Sequence, residues 1–400
     1  MKPQRVIKKA GLAVLRSRIA DPPLSRWDPQ PTLRVPASDV RQAAYPAVDA
    51  HNHLGRWLRS DDSWMVDDVG ALLAMMDELN LATIINLDGR WGGELEANLD
   101  RYDRPHPGRF VTYCHLDWTL LRGRRPSDAL VAQLHASAAV GARGLKVWKD
   151  LGMRVRDGRG RLVLPDDPRL ADVFEAAGEL GLPVLIHVGD PVAFFRRPDR
   201  HNERLDELRR HPTAARRVGV NSAPGRRGPG LPRLLGALEA VVAAHPATTF
   251  VGAHVGCLAE DLGEVTRMLD AYPNLCIDVS ARAAELGRQP RVARRFIERF
   301  ADRVLFGTDS FPPAADGYRA YFRLLETDDD HFAYSTSVPP PQGRWAAYGL
   351  DLSADVLRRV YAGNAARLLP GVPPSATTPS ATLPLTVTPP ARHQGEAGDG

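Results

Sequence analysis

Residues 46–53, PAVDAHNH, begin as an apolar, β-favouring run and end on two histidines. Side chains alternate along a strand, so His51 and His53 face the same way, and two imidazoles so placed can share one metal. Runs of the same kind recur at 81–88 (LATIINLD), 110–117 (FVTYCHLD), 142–148 (ARGLKVW), 183–190 (PVLIHVGD), 248–256 (TTFVGAHVG), 275–281 (LCIDVSA) and 303–310 (RVLFGTDS). Between them lie stretches with apolar residues at three and four spacing: 67–79, 127–140, 166–180, 231–244, 259–272 and 288–301, with a last one at 353–369. Strand and helix that alternate in this way predict an α/β protein with a parallel sheet and helical crossovers. Eight such units predict closure into a (β/α)8 TIM barrel. An open, doubly wound sheet has the same periodicity and stands as the second architecture.

The barrel is expected over 46–369. Residues 1–45, with Pro22, Pro23, Pro29, Pro31 and Pro36, read as an irregular N-terminal arm, and 370–400, rich in Pro, Thr, Ser and Ala, as a disordered tail. Two connections are too long for plain loops, 191–230 and 311–352. Both begin just after a strand, at the end where barrel sites are built, and read as lid or wall elements.

Composition narrows the function. Of 400 residues 44% are apolar and 25% charged, which excludes a mainly disordered chain, and 34 Gly and 34 Pro without a three-residue period exclude a collagen. Only Lys2, Lys8, Lys9, Lys146 and Lys149 are lysines, and the arginines are scattered beside acids. With 52 basic and 48 acidic residues (52 − 48 = +4) and no recognition motif, nucleic-acid binding is not expected. Cys114, Cys257 and Cys276 are odd in number and far apart, so no disulfide framework is expected. No apolar run reaches the ~18 residues of a membrane span. The reading is a cytoplasmic protein with a small-molecule substrate, compatible with a homo-oligomer. The basic stretch from Lys2 to Arg18 could instead rest on a membrane surface or a partner subunit.

The chemistry shows in where ionisable residues fall. Besides His51 and His53, the fifth strand ends in His187, the sixth in His254 and the eighth in Asp309. A barrel interior is otherwise filled by branched apolar residues, and unpaired buried His or Asp is costly. Metal binding would offset that cost. Imidazoles with a carboxylate suit Zn²⁺, with Mn²⁺ or Fe²⁺ as alternatives on ligand type.

The His51-Asn52-His53 strand end, His187, His254, the FGTDS around Asp309 and the closing YAGNAARLL of 361–369 together resemble the amidohydrolase superfamily. More narrowly, they are similar to its amidohydrolase-related branch, which includes the aminocarboxymuconate semialdehyde decarboxylase type. The resemblance spans about 46–369 and implies a metal-dependent (β/α)8 barrel. It implies His51, His53, His187 and Asp309 as ligands of one divalent metal, His254 as general acid/base, and Asp309 as both ligand and proton shuttle. Lys146, on the fourth strand, matches the place where binuclear members carry a lysine that bridges two metals; a neighbouring or outward-facing role is the alternative. Arg282 after the seventh strand and Arg344 in the long connection after the eighth are candidates for holding a carboxylate-bearing substrate, and Trp345 beside Arg344 for covering its ring, in a segment expected to reach over the mouth.

Three functions remain open on this reading. The first is a metal-dependent hydrolase in which metal-activated water attacks an amide, ester or lactone. The second is a non-oxidative decarboxylase of an unsaturated or aromatic carboxylate, and the third a non-catalytic barrel scaffold.

Overall fold

The computed structural model describes residues 22–27, 29–215, 228–377 and 386–388. The basic stretch Lys2 to Arg18 and most of the expected tail lie outside these residues.

All eight expected runs contain a strand: β1 (Ala47–Asn52), β2 (Leu81–Asn86), β3 (Phe110–Thr112), β4 (Leu145–Val147), β5 (Val184–Ile186), β6 (Phe250–Gly252), β7 (Leu275–Asp278) and β8 (Val304–Leu305). Their pairing is parallel and sequential, β1-β2-β3 and β4-β5-β6-β7-β8. A parallel bridge between Cys114 and Leu145, with Lys146 N donating to Cys114 O at 2.7 Å, links the end of β3 to β4. From the other side, Ala50 N donates to Phe306 O (2.9 Å) and Asp309 N to His51 O (2.8 Å), which links the end of β8 to β1. Strand order therefore follows chain order, without the reversal of an open doubly wound sheet. The fold is of the TIM-barrel class.

Two apolar clusters show how the strands are filled. One gathers Val48, Ile85, Val111, Leu185, Val251, Cys276 and Leu305, a side chain from each strand but β4, together with Ala362, Ala365 and Leu369 of the last helix. The other packs alternate residues of the strands, such as Ala47, Ile84, Phe110, Val184 and Ile277, against the helices. This is the inside and outside of a sheet covered on both faces, and it explains why the strands read as near-continuous apolar runs. On β4 both Leu145 and Val147 join the outer cluster, so alternation directs Lys146 inward, where it is 1% exposed.

The helices follow the expected pattern with additions. α1 (Val69–Glu78) is capped by the Asp68 carboxylate, which accepts from Ala71 N at 3.0 Å. α2 (Gly92–Arg101) falls where none was expected. α3 (Pro126–Val140) starts with proline in its first turn and ends at Gly141, whose φ of 130° suits glycine. Then come α4 (Ala171–Glu179), α5 (Leu205–Arg210), α6 (Leu231–Ala244), α7 (Leu262–Ala271) and α8 (Pro290–Arg299). α9 (Ala315–Glu326) occupies the start of 311–352, which is thus in its early residues a regular crossover rather than wholly a wall loop. The closing helix runs from Ala354 to Leu368 with a π turn at Arg359–Gly363. Within 191–230, Phe194, Leu208 and Ala215 form a three-residue cluster, and Phe195 packs on both this and the main core. A short antiparallel pair joins Ala37–Asp39 to Thr386–Thr388.

The three cysteines are free and buried. Among the described residues no helix is long and apolar enough to cross a membrane.

Glu326, at the end of α9, ties three segments of the chain together. Its Oε1 accepts from Tyr361 Oη (2.6 Å) on the closing helix and from Ala44 N (3.0 Å) before β1, while buried Oε2 has no partner. Burial pushes its pKa up to about 7. A raised folded-state pKa contributes stability that is complete below the unfolded value near 4.5 and is lost as pH rises through about 7. Glu326→Gln removes this dependence. Relative to the parent, the variant should gain up to about 3 kcal/mol in denaturant stability between pH 4.5 and 8, and parallel stability curves would refute the assignment.

Candidate metal centre

The site is built on the carboxyl ends of β1, β6, β7 and β8. Strict alternation along β1 would send His51 outward, since Ala50 lies in the inner cluster. The register against β2 shifts between Asp49 and Asn52, and this local irregularity re-aims the side chains there. Gly307 lets the end of β8 pass beside it, because a Cβ on Gly307 would meet His51 Cβ at 3.1 Å and His51 N at 3.2 Å. Several residues here take left-handed φ: His254 (57°), Val255 (58°), Cys257 (63°), Ala281 (52°) and Asp309 (55°). Such conformations are uncommon for residues other than glycine and cost of order 1 kcal/mol each, so the surroundings must hold them.

Three donor groups converge. One ligand atom from each of His51, His53 and Asp309 lies within 4.8 Å of the others. Asp309 Oδ1 is 3.8 Å from His51 Nε2 and 3.4 Å from His53 Nε2, and Asp309 Oδ2 is 3.8 Å from His254 Nε2. The His51 and His254 rings are 4.7 Å apart at their centroids. Asp309 Oδ1 is buried and has no hydrogen-bond partner. An orphaned carboxylate oxygen between imidazole nitrogens fits a cation, because an unpaired buried acceptor is otherwise costly.

Hydrogen bonds fix which nitrogen of each ring is open. His51 Nδ1 donates to Asp278 Oδ2 at 2.8 Å and His53 Nδ1 to Asp88 Oδ1 at 2.6 Å, so both rings present Nε2. Such carboxylate–imidazole pairs orient metal-binding histidines and raise their basicity. His254 Nδ1 lies 2.9 Å from Ser280 O. A carbonyl can only accept, and Ser280 Oγ, also 2.9 Å from Nδ1, gives its own hydrogen to Asp278 Oδ1, so Nδ1 carries the proton and Nε2 offers a lone pair towards Asp309. His187 is placed differently. Its Nε2 lies 2.9 Å from Gly189 O and its ring packs on His254 at 4.4 Å, so only Nδ1 is open and the residue joins neither His51, His53 and Asp309 nor the adjoining donor group of His51, His254 and Asp278. Lys146 Nζ sits 3.3 Å from His51 Nε2, the same nitrogen that faces Asp309. It stands as a neighbour of one ring, and the second donor group among the described residues, His51, His254 and Asp278, shares that same ring.

The charges are consistent with this geometry. Burial opposes a charge on His53, but Asp88 and Asp309 on either side lift its pKa to about 9. Burial, then the Lys146 charge, lowers that of His51. His254 is held well below the ordinary value by burial and then by the Arg282 charge, and His187 by burial and then by His254. Burial resists ionisation of Asp309, yet the surrounding imidazoles keep its pKa below the usual carboxylate range. Burial lowers that of Lys146 to about 8.

The remaining candidates divide. Arg282 lies two residues beyond the Ser280 that holds His254, and its backbone N donates to Tyr321 Oη at 2.9 Å. Arg344 does not present a free cation. Its guanidinium donates to Asp206 Oδ2 (2.7 Å), Leu24 O (3.0 Å) and Trp27 O, bracing the N-terminal arm against α5. Trp345 lies under the Arg288 guanidinium at 3.8 Å and packs on the main core. The expected substrate-covering role of this pair gives way to bracing because each partner is already engaged within the chain. Asp278 and Asp88 escape a reading of the sequence. Both sit in the apolar strand runs, but an Asp near a strand end reads as a turn residue until its imidazole partner, 227 or 35 positions away, is known.

If this cluster is the metal site, one divalent ion per chain should copurify and His51→Ala should abolish it. Asp278→Asn should weaken zinc affinity about 10- to 100-fold, the usual effect of losing an orienting carboxylate. Full metal stoichiometry in His51→Ala, read by elemental analysis, would rule the site out.

No curated protein matches this chain. Among solved structures, a TIM-barrel protein from Bordetella bronchiseptica is 14% identical, with a TM-score of 0.49 over 80% of this chain and 97% of that one. A 2,6-dihydroxybenzoate decarboxylase from Rhizobium is 17% identical, with a TM-score of 0.46 over 81% and 98%. A 2-pyrone-4,6-dicarboxylic acid hydrolase, so described, from Pseudomonas putida is 15% identical, with a TM-score of 0.45 over 81% and 97%. The amidohydrolase family model matches residues 48–371, from β1 to just past the closing helix. That match takes in β1 from Val48 onward, β2 to β8 and all the clustered imidazoles, and on it this chain belongs to the amidohydrolase family, enzymes that include metal-dependent hydrolases and carboxy-lyases.

Proposed function

We propose that the protein is a metal-dependent hydrolase that opens an amide, ester or lactone of a small, carboxylate-bearing substrate. The observation that carries this reading is the orientation of His254. Its Nδ1–H is committed to Ser280 O, so the nitrogen facing Asp309 is a base. Hydrolysis begins by taking a proton from water and needs a base there. Protonating carbon after loss of carbon dioxide needs an acid, and the one proton His254 holds is committed to Ser280 O, away from Asp309.

His51, His53 and Asp309 would hold the metal, and His187, outside their group as its ring now lies, would join through its open Nδ1 only on a turn of that ring. A divalent cation in that position acts as a Lewis acid on a substrate oxygen and lowers the pKa of water towards ~7. Zn²⁺ is the best match to two or three imidazoles and one carboxylate. His254 Nε2 takes the proton from water, and Asp309 Oδ2, 3.8 Å away, is placed to receive it and return it to the leaving group. Asp278 holds both partners still: it accepts from His51 Nδ1 and from His254 N at 2.9 Å. Arg282 favours the second reading, a carboxy-lyase, in one respect, since a cation beside the base could hold a departing carboxylate.

The discriminating experiment offers zinc-loaded and chelated protein a panel of lactones, N-acyl amino acids and aryl carboxylates, following both acid release and carbon dioxide. Acid release without carbon dioxide, lost on chelation, is expected. Carbon dioxide release from an aryl carboxylate would replace the hydrolase reading with the carboxy-lyase. His254→Ala should keep its metal and lose about 10²- to 10⁴-fold in turnover. An unchanged rate would remove His254 from proton transfer.

A further inference from the structure

The connections that leave β2, β3 and β4 enclose a cavity of about 290 Å³. None of the residues that line it belongs to the imidazole cluster. Four guanidinium groups reach it: Arg90 after β2, Arg122 after β3, and Arg154 and Arg156 after β4. Two carboxylates, Asp117 and Asp150, share the lining, so its formal charge is 4 − 2 = +2.

The arginines keep most of their donors. Arg90 is half-buried and lies over two indole rings, Trp91 at 4.1 Å and Trp57 at 5.1 Å. Such stacking engages the face of a guanidinium and leaves its N–H edge. Among the described residues that edge meets no acceptor and no ion-pair partner, and the same holds for the side chains of Arg122 and Arg154. Arg156 gives one N–H to Gly160 O at 3.0 Å. The two carboxylates serve local turns instead. Asp117 Oδ1 accepts from Thr119 N (3.0 Å) and Oγ1 (2.7 Å), and Asp150 Oδ1 from Leu151 N (2.8 Å). Asp150, Asp88, Asp117 and Glu94 act on Arg90 from a distance, but together they do not offset its burial, which holds its pKa below the ordinary value.

We propose that this cavity binds a phosphate dianion, free or as a monoester, at a site separate from the metal centre. A phosphate group carries about −1.5 to −2 charge at pH 7. That matches the formal +2 of the lining. Guanidinium forks pair well with phosphate oxygens, and a tetrahedral group can accept from arginines of three connections at once, where a planar carboxylate offers only two oxygens. Trp91 and Trp118 also line the cavity, whose volume leaves room beyond one phosphate for an organic group against them. The site stands whether or not the hydrolase reading does.

The test titrates inorganic phosphate, and separately phenyl phosphate, into the zinc-loaded full chain by calorimetry at fixed ionic strength, with nitrate as the monovalent control. Because a bound zinc ion also takes phosphate, the titrations are repeated on chelated protein and on His51→Ala, with folding checked by circular dichroism. Both should keep one phosphate per chain and ignore nitrate. Arg90→Gln and Arg154→Gln should each weaken phosphate about 10- to 100-fold, as for loss of a charged hydrogen bond. Arg154 is exposed, so its replacement leaves the core intact. Asp117→Asn, which removes a like charge, should strengthen binding, and Arg295→Gln, an exposed arginine on α8, should not change it. Tighter phenyl phosphate assigns the site to an ester, and equal affinity assigns it to free phosphate. Phosphate that is lost on chelation yet kept in both arginine variants sits on the metal and overturns the proposal. No binding in wild type, or nitrate bound as well as phosphate, would overturn it too.

Discussion

A single buried carboxylate, Asp278, ties the site together. It is fully enclosed and accepts from His51 Nδ1 on β1, from His254 N after β6, and from Ser280 N and Oγ after its own strand. The desolvation cost of an ionised carboxylate is large and is offset only by several well-placed donors at once. The imidazoles on both sides and the serine hydroxyl outweigh burial and keep Asp278 ionised, its pKa below the usual range. The ends of β1, β6 and β7 are therefore not independently adjustable. Moving any one of them would strip a donor from a charge that water cannot reach.

Asp49 has a related role in the adjoining layer. It accepts from Thr308 N and Oγ1, Tyr318 Oη and Asn52 Nδ2, joining β1 to the end of β8 and to α9. Asp309 follows Thr308 directly, so its left-handed backbone is held by bonds on either side: Thr308 to Asp49, and its own N–H to His51 O. Strain at His254 and Asp309 is thus over-determined by neighbours, the condition under which unfavourable dihedrals persist at functional positions.

Much of this was legible in the sequence because barrels write two periods plainly. Each of the eight apolar runs holds a strand, and His51, His53, His254 and Asp309 gather as their strand-end positions suggest. What escaped depends on information a linear pattern lacks. α9 has Tyr318, Tyr321, Phe322 and Leu325 on its buried face, a helical spacing hidden by reading 311–352 as one loop. α2 opens on two glycines and buries only Leu95, Asn98 and Leu99, too weak a stripe to stand out. The pairing of Arg204 with Glu285 and of Arg344 with the arm join positions 81 or more than 300 apart, and arginine is so common in this chain that neither residue draws notice.

The inner cluster has a consequence for traffic. Ala362, Ala365 and Leu369 of the closing helix, with Val372 and Ala376 just beyond, pack beneath the strands and stopper the end of the sheet away from the imidazoles. Among the described residues this packing fills that end and leaves the imidazole end as the way in. Whatever enters as reactant and whatever departs as product must use the same opening, so departure of one molecule has to precede arrival of the next. The described parts of the connections that follow β5 and β8, residues 191–215, 228–230 and 311–352, then govern exit as much as entry. Chain length added at the mouth trades selectivity against the rate at which the site empties.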